Sequence, residues 1–366
     1  MTGSDVTRDG SGGGRPGRTA SPRGLQPGGG SGGDSHGGSR AGRRGGRGGR
    51  GGRGRRRGEE LMVPRAEFDS YYGRPIIKAP SWSATDIAGY FFFGGLAGAG
   101  SVLAAAAQAT GRTTMAGAMK LSSIGALSLS TAALIHDLGR PDRFHHMLRV
   151  FKPTSPMSVG SWLLTGYGAF AGAAAASSVT GRLRTAGAVA TGGAACLGPA
   201  VAAYTAVLAA DTAVPAWHGA HRELPYVFVA SATAAASGMA LVVSPPRESA
   251  PARYAAVLAA AGELTSMELA ERRLGMVAET YRTGRAGTLL RAARALTVGG
   301  AACAALIGHR HRAAAVGGGA LLLAGSACTR FGIFAAGIAS ADDPAYTVTP
   351  QRESLRRAEP AGEQRT

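Results

Sequence analysis

The chain has 366 residues, a formal net charge of +18 and 45% hydrophobic residues, gathered in long runs between short charged segments. This division favours a membrane protein over a pair of soluble domains. Its three cysteines form no Cys-x-x-Cys pair, so we expect neither a disulfide framework, nor a zinc knuckle, nor an iron–sulfur cluster in this chain.

Residues 1–60 form a Gly- and Arg-rich tail, with 23 Gly and 13 Arg among the first 58 residues. Such a segment cannot bury enough apolar surface to fold, so we predict disorder. The run at 42–58 resembles RNA-binding RGG boxes but has no interleaved Phe or Tyr. We therefore favour attraction to anionic lipid headgroups and expect no specific nucleic acid partner. Residues 61–85 follow as a juxtamembrane segment, without the pattern of a secretion signal.

Eight apolar runs follow, each long enough to cross a hydrocarbon core of ~30 Å as a helix. They span 86–109, 115–137, 158–180, 186–209, 224–244, 251–271, 290–308 and 313–339. Small residues spaced four apart, as in "GGLAGAGS" (94–101), would let these helices approach closely. We therefore expect an all-α integral membrane protein of eight transmembrane helices in two four-helix bundles over 86–340, with a C-terminal tail at 341–366.

The breaks between the runs alternate between short turns and long loops at 138–157, 210–223 and 272–289. Lys and Arg are concentrated in the long loops and in both tails. By the positive-inside rule, both termini and the long loops are expected to lie in the cytoplasm, with the chain in the plasma membrane.

Ionisable residues within a span are costly and are therefore functional candidates. Three runs are expected to place polar groups at one depth, near the face with the long loops: Asp86, Tyr90, His136, Asp137, Tyr204 and Asp211. The sixth run adds Glu263 near mid-membrane and Glu268 closer to the cytoplasm.

Simpler roles are open for several of these residues. Asp86 could cap a helix, Tyr90 and Tyr204 could belong to an interfacial aromatic belt, and Asp137 could pair with Arg140. The histidines lie at helix ends, in loops or in the tail, where facing axial ligands are not expected, so we predict no haem and no metal site.

Three segments carry a family resemblance: "HDLGRPDRF…FKPTSPMSVGSW" (136–162), "YTAVLAADTAVPAWH" (204–218) and "MELAERRLGMVAETYRTGRAG" (267–287). They resemble the NrfD/PsrC family of membrane subunits in polysulfide reductase-like molybdoenzyme complexes, over about Phe68 to Ala341. The resemblance implies an eight-helix protein without haem that binds quinone, which we expect to be menaquinone. It also implies a four-cluster, ferredoxin-like iron–sulfur partner subunit, which serves a molybdopterin catalytic subunit.

The resemblance further implies a quinone role for Tyr204, with Tyr90 and His136 as its neighbours. We add Asp137 and Asp211 to the quinone-binding candidates and predict a proton relay through Asp86, Glu263 and Glu268. Such a chain would be the quinone-reactive subunit of an oxidoreductase rather than an enzyme alone. A secondary transporter, which broken helices would favour, and a purely structural anchor are the alternatives.

Overall fold

A computed structural model describes residues 76–358 of the chain, except Ala79, Ser81 and Gly139. All regular secondary structure in this described part is helical. The tail predicted at 1–60, most of the juxtamembrane segment and the last eight residues lie outside the described residues.

The helices follow in the order α1 Ala84–Ala109, α2 Thr113–Asp137, the 3₁₀ helix η1 Pro141–Leu148, α3 Pro156–Thr180, α4 Arg184–Ala210, α5 Pro215–Gly219, α6 Leu224–Val243, α7 Ala250–Leu274, the 3₁₀ helix η2 Gly275–Ala278, α8 Glu279–Arg282, α9 Gly284–Leu306, α10 Arg312–Asp342 and α11 Ala345–Ala358. Each predicted apolar run coincides with one long helix to within a few residues, except that α9 begins six residues before its run. The boundaries agree because an apolar run satisfies its backbone polar groups most simply as one helix.

Six of the long helices in the described part are long and apolar enough to cross a membrane: α1, α2, α4, α6, α9 and α10. The other two, α3 and α7, do not meet this criterion. α3 is rich in Ser, Thr and Gly, and charged residues such as Arg253, Glu263 and Glu268 interrupt α7. The predicted count of eight crossings therefore remains a prediction.

Glycines bring pairs of these helices into backbone contact. A Cβ atom placed on Gly98 of α1 would lie 2.3 Å from the carbonyl oxygen of Gly198 in α4. Gly238 of α6 and Gly319 of α10 approach each other in the same way, at 2.6 and 2.5 Å. The close approach predicted from small residues is thus present. Because α1 also packs on α6 and α10, the predicted division into two four-helix bundles remains a prediction.

Consecutive long helices pack side by side, as α1 on α2, α3 on α4, α6 on α7 and α9 on α10. The short turns between the members of these pairs lie at one end of the helices. The segments η1, α5, η2, α8 and α11 lie at the other end, which we call the long-loop face.

Candidate functional site

The first two helices are joined at the long-loop face by a carboxylate and an imidazole. Asp86 Oδ2 lies 3.0 Å from Nδ1 of His136, whose side chain is 78% exposed. Asp86 is not the helix cap: Ser83 takes that position, and its hydroxyl accepts the Asp86 backbone N–H at 3.4 Å. The capping role left open for Asp86 is therefore wrong, and its carboxylate is free to pair with His136.

Asp137 makes a second tie between α1 and α2. Its Oδ1 accepts the backbone N–H of Ser83 at 3.0 Å, and the ion pairs found among the described residues do not include the pairing with Arg140 that the sequence left open. A carboxylate that accepts a backbone N–H just before α1 also complements the positive end of that helix. Asp137 therefore holds the two helices in register beside the Asp86–His136 pair.

Tyr204 of α4 lies against the beginning of α3. Its side chain is 8% exposed, and its hydroxyl donates to the carbonyl oxygen of Pro156 at 2.5 Å. The ring rests on Gly160, where a Cβ atom would lie only 1.9 Å from Tyr204 Cζ. The phenol therefore depends on a glycine in the second turn of α3.

Tyr90 lies one turn below Asp86 and is 1% exposed. Its carbonyl oxygen accepts the hydroxyl of Ser130 on α2 at 3.1 Å. One turn further along α1, a Cβ on Gly94 would meet the side chains of both Ser130 and Thr205. Thr205 thus lies within about one helical turn of Tyr90, measured along α1, and Tyr204 is its neighbour in α4. The two phenols therefore lie at a similar depth along the helix axes.

Asp211 stands apart from this group. It is the C-cap residue of α4, seven residues after Tyr204, and its side chain is exposed. At 1.5 Å per helical residue the separation is about 10 Å along the axis. Asp211 is thus placed to exchange protons with water at the long-loop face rather than to contact a ligand beside Tyr204.

An apolar groove of about 250 Å³, which we call the α2–α3 groove, lies between the long-loop halves of α2 and α3, and neither Tyr90 nor Tyr204 lines it. Its walls come from α2, η1 and α3: Leu127, Thr131, Leu134, Ile135, Leu138, Phe144, Met147, Leu148, Ser161, Leu164, Thr165 and Gly168. The wall residue Ser161 directly follows Gly160, on which Tyr204 rests. Sequence reasoning missed the groove because it treated 138–157 as a loop; the apolar spacing of Phe144, Met147 and Leu148 was the available signal.

A second polar centre lies between α6, α7 and α10. Glu263, 6% exposed, accepts the hydroxyl of Thr329 through Oε1, while Oε2 has no hydrogen-bond partner among the described residues. Beside it, Arg330 is completely buried and donates from Nη2 to the Phe228 carbonyl oxygen at 2.6 Å. Its guanidinium also stacks 3.9 Å from the centroid of the Phe228 ring. Arg330 was not selected from the sequence, although it is an ionisable residue within a predicted span, the criterion by which Glu263 was selected.

Glu268 does not join Glu263, because five residues of helix turn it to the other side of α7. Its exposed carboxylate accepts from Arg272 Nε at 2.9 Å. The neighbouring Glu271, also missed from sequence, is 4% exposed and accepts from Arg282 Nε at 2.7 Å and from Arg294. The hydrogen bond from Arg282 to Glu271 raises the pKa of the Arg282 guanidinium, which lies outside the helical spans.

The comparison with known families covers two of the three segments singled out in the sequence, 136–162 and 204–218, and only the first four residues of the third, 267–287. The family described as "Polysulphide reductase, NrfD" matches residues 78–270, more than half of the chain. This range includes α1 to α6 and most of α7, so the resemblance expected from Phe68 to Ala341 is confirmed over its larger part. No curated protein shows significant sequence similarity to the chain.

Proposed function

Because the chain belongs to the polysulphide reductase NrfD family, we propose that it is the quinone-reactive subunit of a molybdoenzyme complex. The family is one of membrane subunits that work with oxidoreductase partners. We propose menaquinone as the quinone and a four-cluster, ferredoxin-like iron–sulfur subunit as the electron partner. That subunit would serve a molybdopterin catalytic subunit.

One observation carries the quinone proposal: the α2–α3 groove, the two phenols and the Asp86–His136 pair lie at the same end of the helices. Quinones combine an apolar tail with a ring that has two polar oxygens. The groove is lined by apolar side chains with hydroxyls only from Thr131, Ser161 and Thr165. A mostly apolar pocket with a few placed polar groups is the usual form of such a site.

Quinol oxidation releases two electrons and two protons, and the described side chains are suited to the proton part. The Tyr204 hydroxyl donates to Pro156, so its oxygen can still accept a hydrogen bond from a quinol hydroxyl. Asp86 and His136 share a hydrogen bond, and the exposed imidazole can pass a proton to water. Tyr90, on α1, would lie beside the Tyr204 phenol. Asp211 would receive protons at the surface of the long-loop face.

The relay roles proposed for Glu263 and Glu268 have less support from the contacts. The rings of Phe228 and Phe91 pack 5.5 Å apart, and Phe91 packs 5.7 Å from Tyr90. Arg330, beside Glu263, stacks on the Phe228 ring. Apolar rings thus stand between Glu263 and the phenols, and we propose Asp86 as the main relay residue.

We propose that the protein lies in the plasma membrane. Its long-loop face and both termini would then lie on the cytoplasmic side. The exposed cations of that face include Arg140, Arg143, Arg149 and Lys152 around η1. Basic residues near helix ends favour the cytoplasmic side. Protease added to inside-out vesicles should cut the N-terminal tail; cutting only in right-side-out vesicles would reverse the orientation.

A secondary transporter would be favoured by a broken helix, and Pro199 inside α4 is a position where a helix could break. α4 runs without interruption from Arg184 to Ala210 through Pro199. The discontinuity that would favour a secondary transporter is therefore not present at that position.

Tyr204→Phe tests the quinone proposal in the assembled complex. The phenol oxygen is lost while the ring stays on Gly160, so quinol-dependent reduction of the iron–sulfur subunit should fall about 10-fold or more, with assembly unchanged. Tyr226→Phe, at an exposed tyrosine of α6, is the matched control and should keep full activity. If Tyr204→Phe and Tyr226→Phe reduced the iron–sulfur subunit at equal rates, the quinone site would have to lie elsewhere. A purified complex that contained neither iron–sulfur protein nor quinone would refute the whole proposal.

A further inference from the structure

We propose that Glu263 and Thr297 form a hydrated proton-binding site, entered from the long-loop face through a charged cleft beside Arg294. This site lies among α6, α7, α9 and α10, and its function would not require a bound quinone. In the step assigned to it, the Glu263 carboxylate takes a proton from hydronium, which leaves a carboxylic acid and water.

The centre of the site is a small cavity of about 20 Å³ between these four helices. Glu263 Oε2 and Thr297 Oγ1 are both buried, both belong to residues that line the cavity, and neither has a hydrogen-bond partner among the described residues. Buried polar atoms without partners are costly. A cavity of this size holds about one water molecule, which could bond to both oxygens at once.

A cleft of about 420 Å³ lies next to this cavity, between α7 and α9, and opens to the exterior. The cavity and the cleft share two wall residues, Leu264 and Arg294. Further out, the cleft is lined by Glu268 and Arg272, which form an ion pair toward the long-loop end of α7. Because charged side chains are costly in hydrocarbon, we infer that water rather than lipid fills the cleft.

Arg294 stands at the neck between the cleft and the cavity. The buried carboxylate of Glu271 binds its Nη2 and also holds Arg282, so the position of the Arg294 guanidinium is fixed from the long-loop face. Glu271 is therefore a positioning residue for this neck.

Among the described residues, the ionisable groups that face Glu263 are Arg330 of α10 and, across the cavity, Arg294 of α9. From α6 the site receives Val227, the Phe228 carbonyl and the Ser231 hydroxyl. Glu263 Oε2 and Thr297 Oγ1 are the cavity-lining side-chain oxygens without a partner among the described residues, fewer than the six or more oxygen ligands of Mg²⁺ or Ca²⁺. The ion of the proposed site is therefore a proton, carried by water.

Thiol labelling of the complete complex in membrane vesicles tests the entry route. Thr297→Cys is placed in a chain in which Cys196, Cys303 and Cys328 are replaced by alanine. 2-Aminoethyl methanethiosulfonate is added to one side, with excess free cysteine on the other side to destroy any reagent that crosses the membrane. Two references define the sides: Val150→Cys on the long-loop face and Leu306→Cys beside a short turn, both at exposed positions.

Thr297→Cys should react from the same side as Val150→Cys, at least 10-fold faster than Ser237→Cys. Ser237 is a matched control because it is equally buried, its hydroxyl has no partner among the described residues, and it does not line the cavity. Equal labelling of Thr297→Cys and Ser237→Cys, or labelling from the Leu306 side, would overturn the proposal.

Infrared difference spectra of the complex after a pH jump test the proton acceptor itself. The wild-type complex should show the C=O stretch of a protonated carboxyl group, and Glu263→Gln should lose that band while Glu268→Gln keeps it. A band that survives in Glu263→Gln would assign the proton elsewhere. Neither measurement uses quinol turnover, so failure of the quinone proposal, read from Tyr204→Phe, would leave both results standing.

Discussion

Replacing Gly160 by alanine should disable the candidate quinone site without unfolding the protein. The new methyl group would lie 1.9 Å from Tyr204 Cζ and 2.1 Å from its hydroxyl oxygen. An ordinary carbon contact needs ~3.4 Å or more, so the ring must move by about 1.5 Å. That shift breaks the 2.5 Å hydrogen bond to Pro156, which is worth about 1 kcal/mol, and adds about 1–3 kcal/mol of overpacking.

The expected loss of stability in Gly160→Ala is therefore about 2–4 kcal/mol, small enough for the complex to assemble. The rate of quinol-dependent reduction should fall further, by up to about 100-fold, because reacting groups tolerate about 1 Å of misplacement poorly. Stopped-flow measurement of iron–sulfur reduction and thermal unfolding in detergent report the two effects. Gly166→Ala, on the same helix, places its methyl 3.9 Å from Leu197 and should behave as wild type. A Gly160→Ala complex with wild-type rates would show that the position of Tyr204 is irrelevant to turnover.

Other substitutions test the packing around the two polar centres. Glu271→Gln should destabilise the protein by about 1.5–3 kcal/mol, because two arginines lose a charged hydrogen-bond partner, whereas the exposed Glu268→Gln should unfold at the wild-type temperature in the same thermal unfolding assay. Arg312→Ala should cost about 1–3 kcal/mol, since its guanidinium binds three carbonyl oxygens at the end of α6; unchanged unfolding would show that water replaces it. Gly98→Ala should lower the yield of folded protein in membranes, because its methyl meets the backbone of α4, while Gly125→Ala, which meets nothing, should not.

The long helices could be predicted closely from the sequence because each is coded locally. An apolar run must satisfy its own backbone hydrogen bonds, and the residues at its ends mark where the helix begins and stops. Ser155 and Pro156 illustrate this: they stand just before the run predicted at 158–180 and are the N-cap and first residue of α3. The sequence also placed the polar groups of α1, α2 and α4 at one end of the helices, because the direction of successive long helices alternates along the chain.

The partners of individual side chains could not be predicted in this way. Glu263 and Glu268 are five residues apart on α7, yet one is buried against Thr329 and the other is exposed to Arg272. The spacing fixes the angle between them, about 140°, but not which face of α7 meets α10. Asp137 likewise bonds to Ser83, 54 residues away, rather than to the nearby Arg140.

The helical class, the helix positions, the family and the candidate residues could be predicted from the amino-acid sequence, because these depend on local composition and on motifs within one segment. Three features required the packed structure: η1 forms one wall of the α2–α3 groove, Glu271 binds two arginines, and Arg330 lies buried beside Glu263. Those features arise where helices distant in sequence pack together, and burial there depends on the shapes of both surfaces rather than on the periodicity of either.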